Sequence, residues 1–327
     1  MLMIMTDKDG SPAALAARLE AALGSAGFRC RLAPVGVAEE LGLTIDGLRD
    51  EGSLAESLYE EWEDLFHFTP PPEVPAPRTL IAVAWPSPAV KVRFQMDTGP
   101  LEAVIPPTYI SSAGRERCLA TMRSVLGPLG HVVARARIPV KLLAVRSGLA
   151  RYGRNNLAYV RGMGTFARLD AFCTDADLEA VKYETKGSLR LSACPPCRNC
   201  HHVCPTGCIP YDGQVIEATR CLTYLNENED AWPEWLDPRA HNSLVGCMRC
   251  QEMCPADRYY LRTEPVVAEF DEQETAIILE NLPPERLPGP VLRKLKDLDM
   301  EEYSPILGRN LLALRTAAEL RLTDGAD

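Results

Sequence analysis

The chain has no run of 18 or more apolar residues, so no segment is built to cross a membrane as a helix. It has no Arg-Arg pair, as twin-arginine export would require. Its opening, "MLMIMTDKDG", turns acidic too early for the apolar core of a secretory leader. No G-x-G-x-x-G follows a strand-like segment, so a dinucleotide-binding Rossmann unit is not indicated. These absences make the cytoplasm the expected compartment, with no membrane partner. Positive charge is also short: 35 Lys and Arg stand against 45 Asp and Glu, a formal net charge of -10. A long nucleic acid would meet net repulsion, although a local basic patch could still hold one.

Cysteine, by contrast, is abundant: there are 12, and five lie within "CPPCRNCHHVCPTGC", residues 194–208. Thiols in a reducing compartment bind metal or carry redox chemistry more often than they pair as disulfides. Cys194, Cys197, Cys200 and Cys204 follow the spacing C-x2-C-x2-C-x3-C, with Pro205 next. Cys247, Cys250 and Cys254 repeat its last three positions, again followed by proline, and Cys221 lies between the runs. In bacterial two-cluster ferredoxins the cysteine before the proline ligates the other cluster. Three close thiolates wrap one cube, and the longer step turns the next side chain toward its neighbour. Crossing the runs assigns Cys194, Cys197, Cys200 and Cys254 to one [4Fe–4S] cluster, and Cys204, Cys221, Cys247 and Cys250 to a second. A pair of zinc sites is the alternative, since C-x2-C pairs also hold zinc. Two such runs ending in proline favour iron–sulfur.

Cys208 remains as a fifth cysteine in the first run. It reads either as a small buried hydrophobe beside a cluster or as a ligand-swapping or redox thiol. Either His201 or His202 could bond a cluster sulfide, but neither is needed to complete a site. Cys30, Cys118 and Cys173 are isolated and read as core residues.

The remaining pattern alternates helices and strands. Residues 11–27 read as a helix with Pro12 in its first turn, and "RCRLAPV" as a strand. "SLAESLYEEWEDLF" reads as a helix with Ser53 and Glu56 at capping-box spacing and Leu54, Leu58, Trp62 and Leu65 on one face. The proline-rich stretch 69–78 looks like a boundary. Beyond it come a strand "TLIAVAW", a helix "AGRERCLATMRSVLG", a strand "HVVARAR" and a helix "PVKLLAVRSGL". "NLAYV" and "TFARLDAFCT" are further strands, and "PGPVLRKLKDL" and "SPILGRNLLALRTAAELRL" are amphipathic helices. The expected organisation is an N-terminal segment (1–75), an α/β cofactor domain (76–190), the cluster module (191–262) and a helical tail (263–327). Turns at 153–156 and 161–164 carry glycines that could let backbone approach a flat ligand, or could be ordinary connections.

"GLARYGRNNLAYVRGMGTF", followed by eight cysteines with "ATRCLTYL" between their halves, resembles the epoxyqueuosine reductase family, relatives of the reductive dehalogenases. "RTLIAVAWPSP" and "GRNLLALRTA" are similar to that family's early strand and C-terminal helix. The resemblance implies an α+β fold: a nitroreductase-like α/β layer domain, a bacterial-ferredoxin-like double-cluster module and a C-terminal helical segment. It also implies base-off cobalamin between the first two, fed one electron at a time. The corrinoid-binding motif D-x-H-x-x-G is absent, which fits cobalamin held without a protein ligand to cobalt. By position, Tyr152, Arg154, Asn155, Asn156, Ala158, Val160, Gly164 and Thr165 would line the corrin. Thr223 would join them from the segment of Cys221, whose cluster lies nearer the cofactor.

The family's acidic residue before the helix into this turn has no counterpart here, where Ala134 and Arg135 stand in its place. Tyr109, Tyr152, Tyr159 and Arg135 are the replacement proton donors considered, with Tyr152, Arg135 and Tyr109 foremost. The expected function is a cobalamin-dependent iron–sulfur reductase acting on a small molecule rather than tRNA. Its electrons would come from an external low-potential donor of ferredoxin or flavodoxin type. Two alternatives stand beside it: a cobalamin-free electron-transfer protein or corrinoid-reducing activator, and an epoxyqueuosine reductase with a relocated acid.

Overall fold

The run "TLIAVAW" is apolar throughout because its strand is covered on both faces. The computed structural model describes residues 11–180, 189–212, 215–261 and 263–324. Its first helix, α1 (Pro12–Ser25), starts where Ser11 accepts the Ala14 N–H, with Pro12 at the position that needs no donor. Strand β1 (Arg29–Pro34), helix α2 (Val37–Asp50) and helix α3 (Glu56–Phe66) follow. Next come β2 (Thr79–Pro86), β3 (Ala89–Met96), β4 (Gly99–Ile105), α4 (Ser112–Leu126), β5 (Val133–Arg135) and α5 (Val140–Arg146). The short hairpin β6 (Ala150–Tyr152) and β7 (Ala158–Val160) leads into β8 (Ala167–Thr174).

Four strands form an antiparallel sheet in the order β1-β2-β8-β5. Leu80, Ala82 and Ala84 of β2 pack toward α2 and α5, while Ile81, Val83 and Trp85 pack toward α1 and α4. The period-two alternation of a strand thus supplies two cores from one segment. Since β1 pairs with β2, the boundary drawn at residue 75 runs through a single sheet, and the proline-rich connector separates no independent unit.

Two local expectations fail for identifiable reasons. Ser53 does not cap α3: its N–H, like that of Leu54, closes the end of α2 by bonding the Leu48 carbonyl. Trp62 leaves the shared face because α3 is kinked at that residue, and its side chain is 40% exposed.

Among the described residues the cluster segment contributes three short α-helices, α6 (Asn199–His202), α7 (Leu222–Glu227) and α8 (Arg249–Glu252). After it, β9 (Thr263–Phe270) runs parallel to β3 and completes a second sheet, β4-β3-β9. Helices α9 (Glu272–Leu279), α10 (Gly289–Asp297) and α11 (Ser304–Asp324) pack on that sheet around Phe94, Phe270, Val291, Leu295 and Leu307. Asp271 and Glu274 form a full capping box at the start of α9. Mixed antiparallel and parallel sheets with segregated helices define an α+β fold. Among the described residues no helix is long and apolar enough to cross a membrane.

Candidate functional site

The two cysteine runs fold alike because each has the same turn–helix–turn spacing. Cys200 lies in α6 and Cys250 in α8, while Cys197 and Cys247 sit in the turns just before these helices. The Cys204 N–H closes on the His201 carbonyl, and the Cys254 N–H on the Gln251 carbonyl. Each exit is then fixed by the proline that follows. The thiols fall into two interleaved groups. Cys200 feels Cys194, Cys197 and Cys254, whereas Cys247 feels Cys221 and Cys204. Cys250 lies closest in effect to Cys247 and Cys221, with Cys200 a weaker neighbour. Among the described residues no three metal-binding side chains gather as a single ion would need.

Burial pushes the Cys200 and Cys247 thiols up to about 11, and Cys250 well above its ordinary range. Metal loading must therefore displace protons from these buried sulfurs. Asn242 donates to the Cys247 sulfur at 3.3 Å, and the Tyr159 hydroxyl meets Cys254 at 3.1 Å. Cys208 is buried, with its sulfur 3.5 Å from that of Cys204. Its nearness draws the Cys204 and Cys221 thiols down to about 5 and about 6.

Several residues expected on a corrin face are committed elsewhere. Arg154 is only 4% exposed, and its guanidinium donates to the carbonyls of Cys194, Cys197 and Tyr211 at 3.2, 3.2 and 2.5 Å. It holds the first cysteine loop. Asn155 is buried against the Tyr159 hydroxyl and Cys250. Val160 lies in the apolar core. The Thr165 N–H and hydroxyl both donate to the buried Asp257, at 2.8 and 2.7 Å. A Cβ on Gly164 would lie 2.2 Å from an Asp257 carboxylate oxygen and 2.6 Å from the Tyr260 ring, so the close approach goes to the cluster module. Tyr152, Asn156, Ala158 and Thr223 stay partly exposed.

Beside them Lys141 of α5 is solvent-exposed and bonds the Asn156 carbonyl at 3.3 Å. Desolvation nevertheless pulls its ammonium below the usual lysine range, and Cys221 partly opposes this.

The proton-donor candidates separate clearly. Arg135 pairs with Asp170 at 2.9 Å; that carboxylate is fully buried and also holds Arg115 at 2.6 Å. A guanidinium does not deprotonate in proteins, so Arg135 is a structural ion-pair member rather than an acid. Burial pushes Tyr152 up to about 12, and Tyr159 is tied to Cys254 and Asn155. The Tyr109 hydroxyl instead donates to Glu227 at the end of α7, and its ring packs edge-on to Tyr303 at 5.8 Å. Burial pushes the Glu227 carboxyl up to about 7 even though the Tyr109 bond pulls it down, and Cys221 acts on both residues. Lys141, Glu227, Asp257 and Gln251 carry no sequence motif and were not singled out by pattern; Asp257, three residues after Cys254, was the one that its spacing could have flagged.

The fold and the two thiol groups define an α+β protein built around a double-cluster module, and residues 193–257 match the 4Fe-4S double cluster binding domain. The epoxyqueuosine reductase of Escherichia coli (strain K12) is 37% identical over 120 residues, covering 36% of this chain and 29% of that enzyme. The chain thus matches less than a third of that relative's length. The epoxyqueuosine reductase structure from Streptococcus thermophilus superposes with a TM-score of 0.62 at 15% identity, over 92% of this chain and 81% of that one. A Bacillus subtilis epoxyqueuosine reductase, described with a catalytic aspartate loop, gives 0.59 at 17% identity over 93% and 81%. The chain thus contains a domain of the kind that binds two [4Fe–4S] clusters, and about a third of it is similar in sequence to epoxyqueuosine reductases.

Proposed function

We propose that the chain is a cytoplasmic reductase that draws electrons from an external low-potential donor of ferredoxin or flavodoxin type and works with a corrinoid beside Cys221. Its substrate is a small molecule rather than tRNA. The observation that carries this reading is that Lys141, Tyr109 and Glu227 all lie close enough to Cys221, a member of the second thiol group, to feel its charge. Tyr152, Asn156, Ala158 and Thr223 remain available to a flat ligand there, while Arg154, Asn155, Val160, Gly164 and Thr165 support it from behind. The residues present therefore fit a corrinoid along one partly exposed rim. When bound, a corrinoid supplies strongly reducing cobalt, and the clusters supply single electrons.

The protein's own contribution is the proton. Ala134 and Arg135 provide no acid, so Glu227 holds the transferable proton and the Tyr109 hydroxyl orients its carboxyl. Against tRNA stands the net charge of -10. Anaerobic reconstitution with iron and sulfide, followed by titration with cob(II)alamin, tests the reading. About eight irons per chain and a base-off cobalt EPR signal at stoichiometric cobalamin are expected. Failure of cobalamin to bind overturns the corrinoid reading in favour of a cobalamin-free electron-transfer protein. Reduction of epoxyqueuosine-bearing tRNA would overturn the small-molecule reading.

The Glu227 proton can be watched without a substrate. A protonated-carboxyl infrared band should fade as pH rises through about 7 and be missing from Glu227→Gln. Tyr109→Phe removes a hydrogen bond that favours the ionised form, so the same band should then persist to higher pH.

A further inference from the structure

We propose that Cys208 is a reserve ligand of the second cluster, able to take the corner held by Cys204 or Cys221. It follows Cys204 by four residues on the same loop and is 2% exposed. Its sulfur lies 3.5 Å from that of Cys204, and Cys221 is close enough to act on it. Both neighbours belong to the second thiol group, so one cysteine touches one of its four members and lies beside a second. A change of χ1 between staggered wells moves a cysteine sulfur by ~3 Å, close to the separation to be crossed.

The other buried cysteines show what a bystander looks like. Cys30 and Cys118 lie in the apolar core between α1, α4 and the first sheet, and Cys173 in the core on the opposite face. Cys208 belongs to none of the apolar clusters among the described residues. Its loop is anchored independently, by the Glu217 N–H on the Cys208 carbonyl at 2.9 Å, so the side chain can turn while the backbone stays. Gly207 just before it, at φ +66°, has open space around its Cα.

The exchange balances without a redox partner. One iron–thiolate bond breaks and one forms, and the Cys208 proton passes to the departing sulfur. It depends on the double-cluster domain alone and on neither the corrinoid nor the substrate.

The test is iron content and dithionite-reduced EPR of reconstituted full-length Cys208→Ala, Cys204→Ala and the double variant. Cys208→Ala should keep about eight irons, and Cys204→Ala should also keep about eight, with a shifted EPR signal; the double variant should hold about four. The first cluster's signal in every variant serves as the internal control for folding. If Cys204→Ala alone drops to about four irons, or yields a three-iron cluster, while the first cluster's signal persists, Cys208 is no ligand and the inference is overturned. If the first cluster's signal is lost as well, Cys221→Ala against its own double variant with Cys208→Ala decides by the same count.

Discussion

Cys250→Ala is expected to halve the iron content, from about eight to about four per chain. No other thiol can replace it. Cys250 is held in place by α8, and its nearest partners, Cys247 and Cys221, are already needed at other corners. Cys200, the remaining neighbour, serves the other group. The variant should thus behave unlike Cys204→Ala, although the two positions look equivalent in the spacing. Half the reduced spin signal should remain, belonging to the first cluster. Reduction of bound cob(II)alamin by an external donor should fall at least ~100-fold, because an electron then has no relay at the second cluster. Iron analysis and EPR spin counts on one sample measure the first effect, and stopped-flow absorbance measures the second. Full iron content in Cys250→Ala would mean that the thiols are partitioned differently.

The spacing of the cysteines made the module legible, since ligand spacing is a local property of the chain. The same holds for α1, where Ser11 and Pro12 mark a start, and for β2, whose continuous apolar run follows from burial on both faces. Residues whose role depends on distant partners were not legible. Strand β9 has no partner near it in sequence and joins β3 across most of the chain. Its place in the second sheet therefore leaves no local signature, although the β3–β4 hairpin does, in the alternating burial of β3 and the turn at Gly99. Arg154 sat in a stretch that resembled a cofactor wall, yet its donors meet three carbonyls that only the folded first cysteine loop brings together. Arg135 was considered as a proton donor because it stands where an acid was expected; the buried Asp170 that claims it lies on the neighbouring strand. Glu227 had no pattern to announce it, and only the packing of α7 against Tyr109 makes it notable.

Asp257→Ala is expected to be among the most destabilising single changes outside the cysteines, at about 3 kcal/mol. The carboxylate is fully buried and takes both the Thr165 N–H and its hydroxyl, while Gln251 donates to the same hydroxyl at 2.8 Å. Alanine leaves those donors without an acceptor in a site closed to water, and each orphaned group costs about 1–3 kcal/mol. Gly164→Ala attacks the same contact from the other side. Its φ of +59° is strained for any residue with a Cβ, and that Cβ would press on both Asp257 and Tyr260. The two variants should give similar losses in denaturant midpoint, and the double variant should lose much less than their sum, since either alone opens the contact. The consequence should reach the metal. Asp257 is anchored by its N–H to the Cys254 carbonyl at 3.0 Å, and Cys254 is the member of the first thiol group supplied from the distant run. Loosening the contact frees that thiol to move away from its three partners, so iron release to a chelator should quicken for the first cluster before the second. Equal release rates from both clusters would show that the Thr165–Asp257 contact supports the fold without setting the geometry of Cys254.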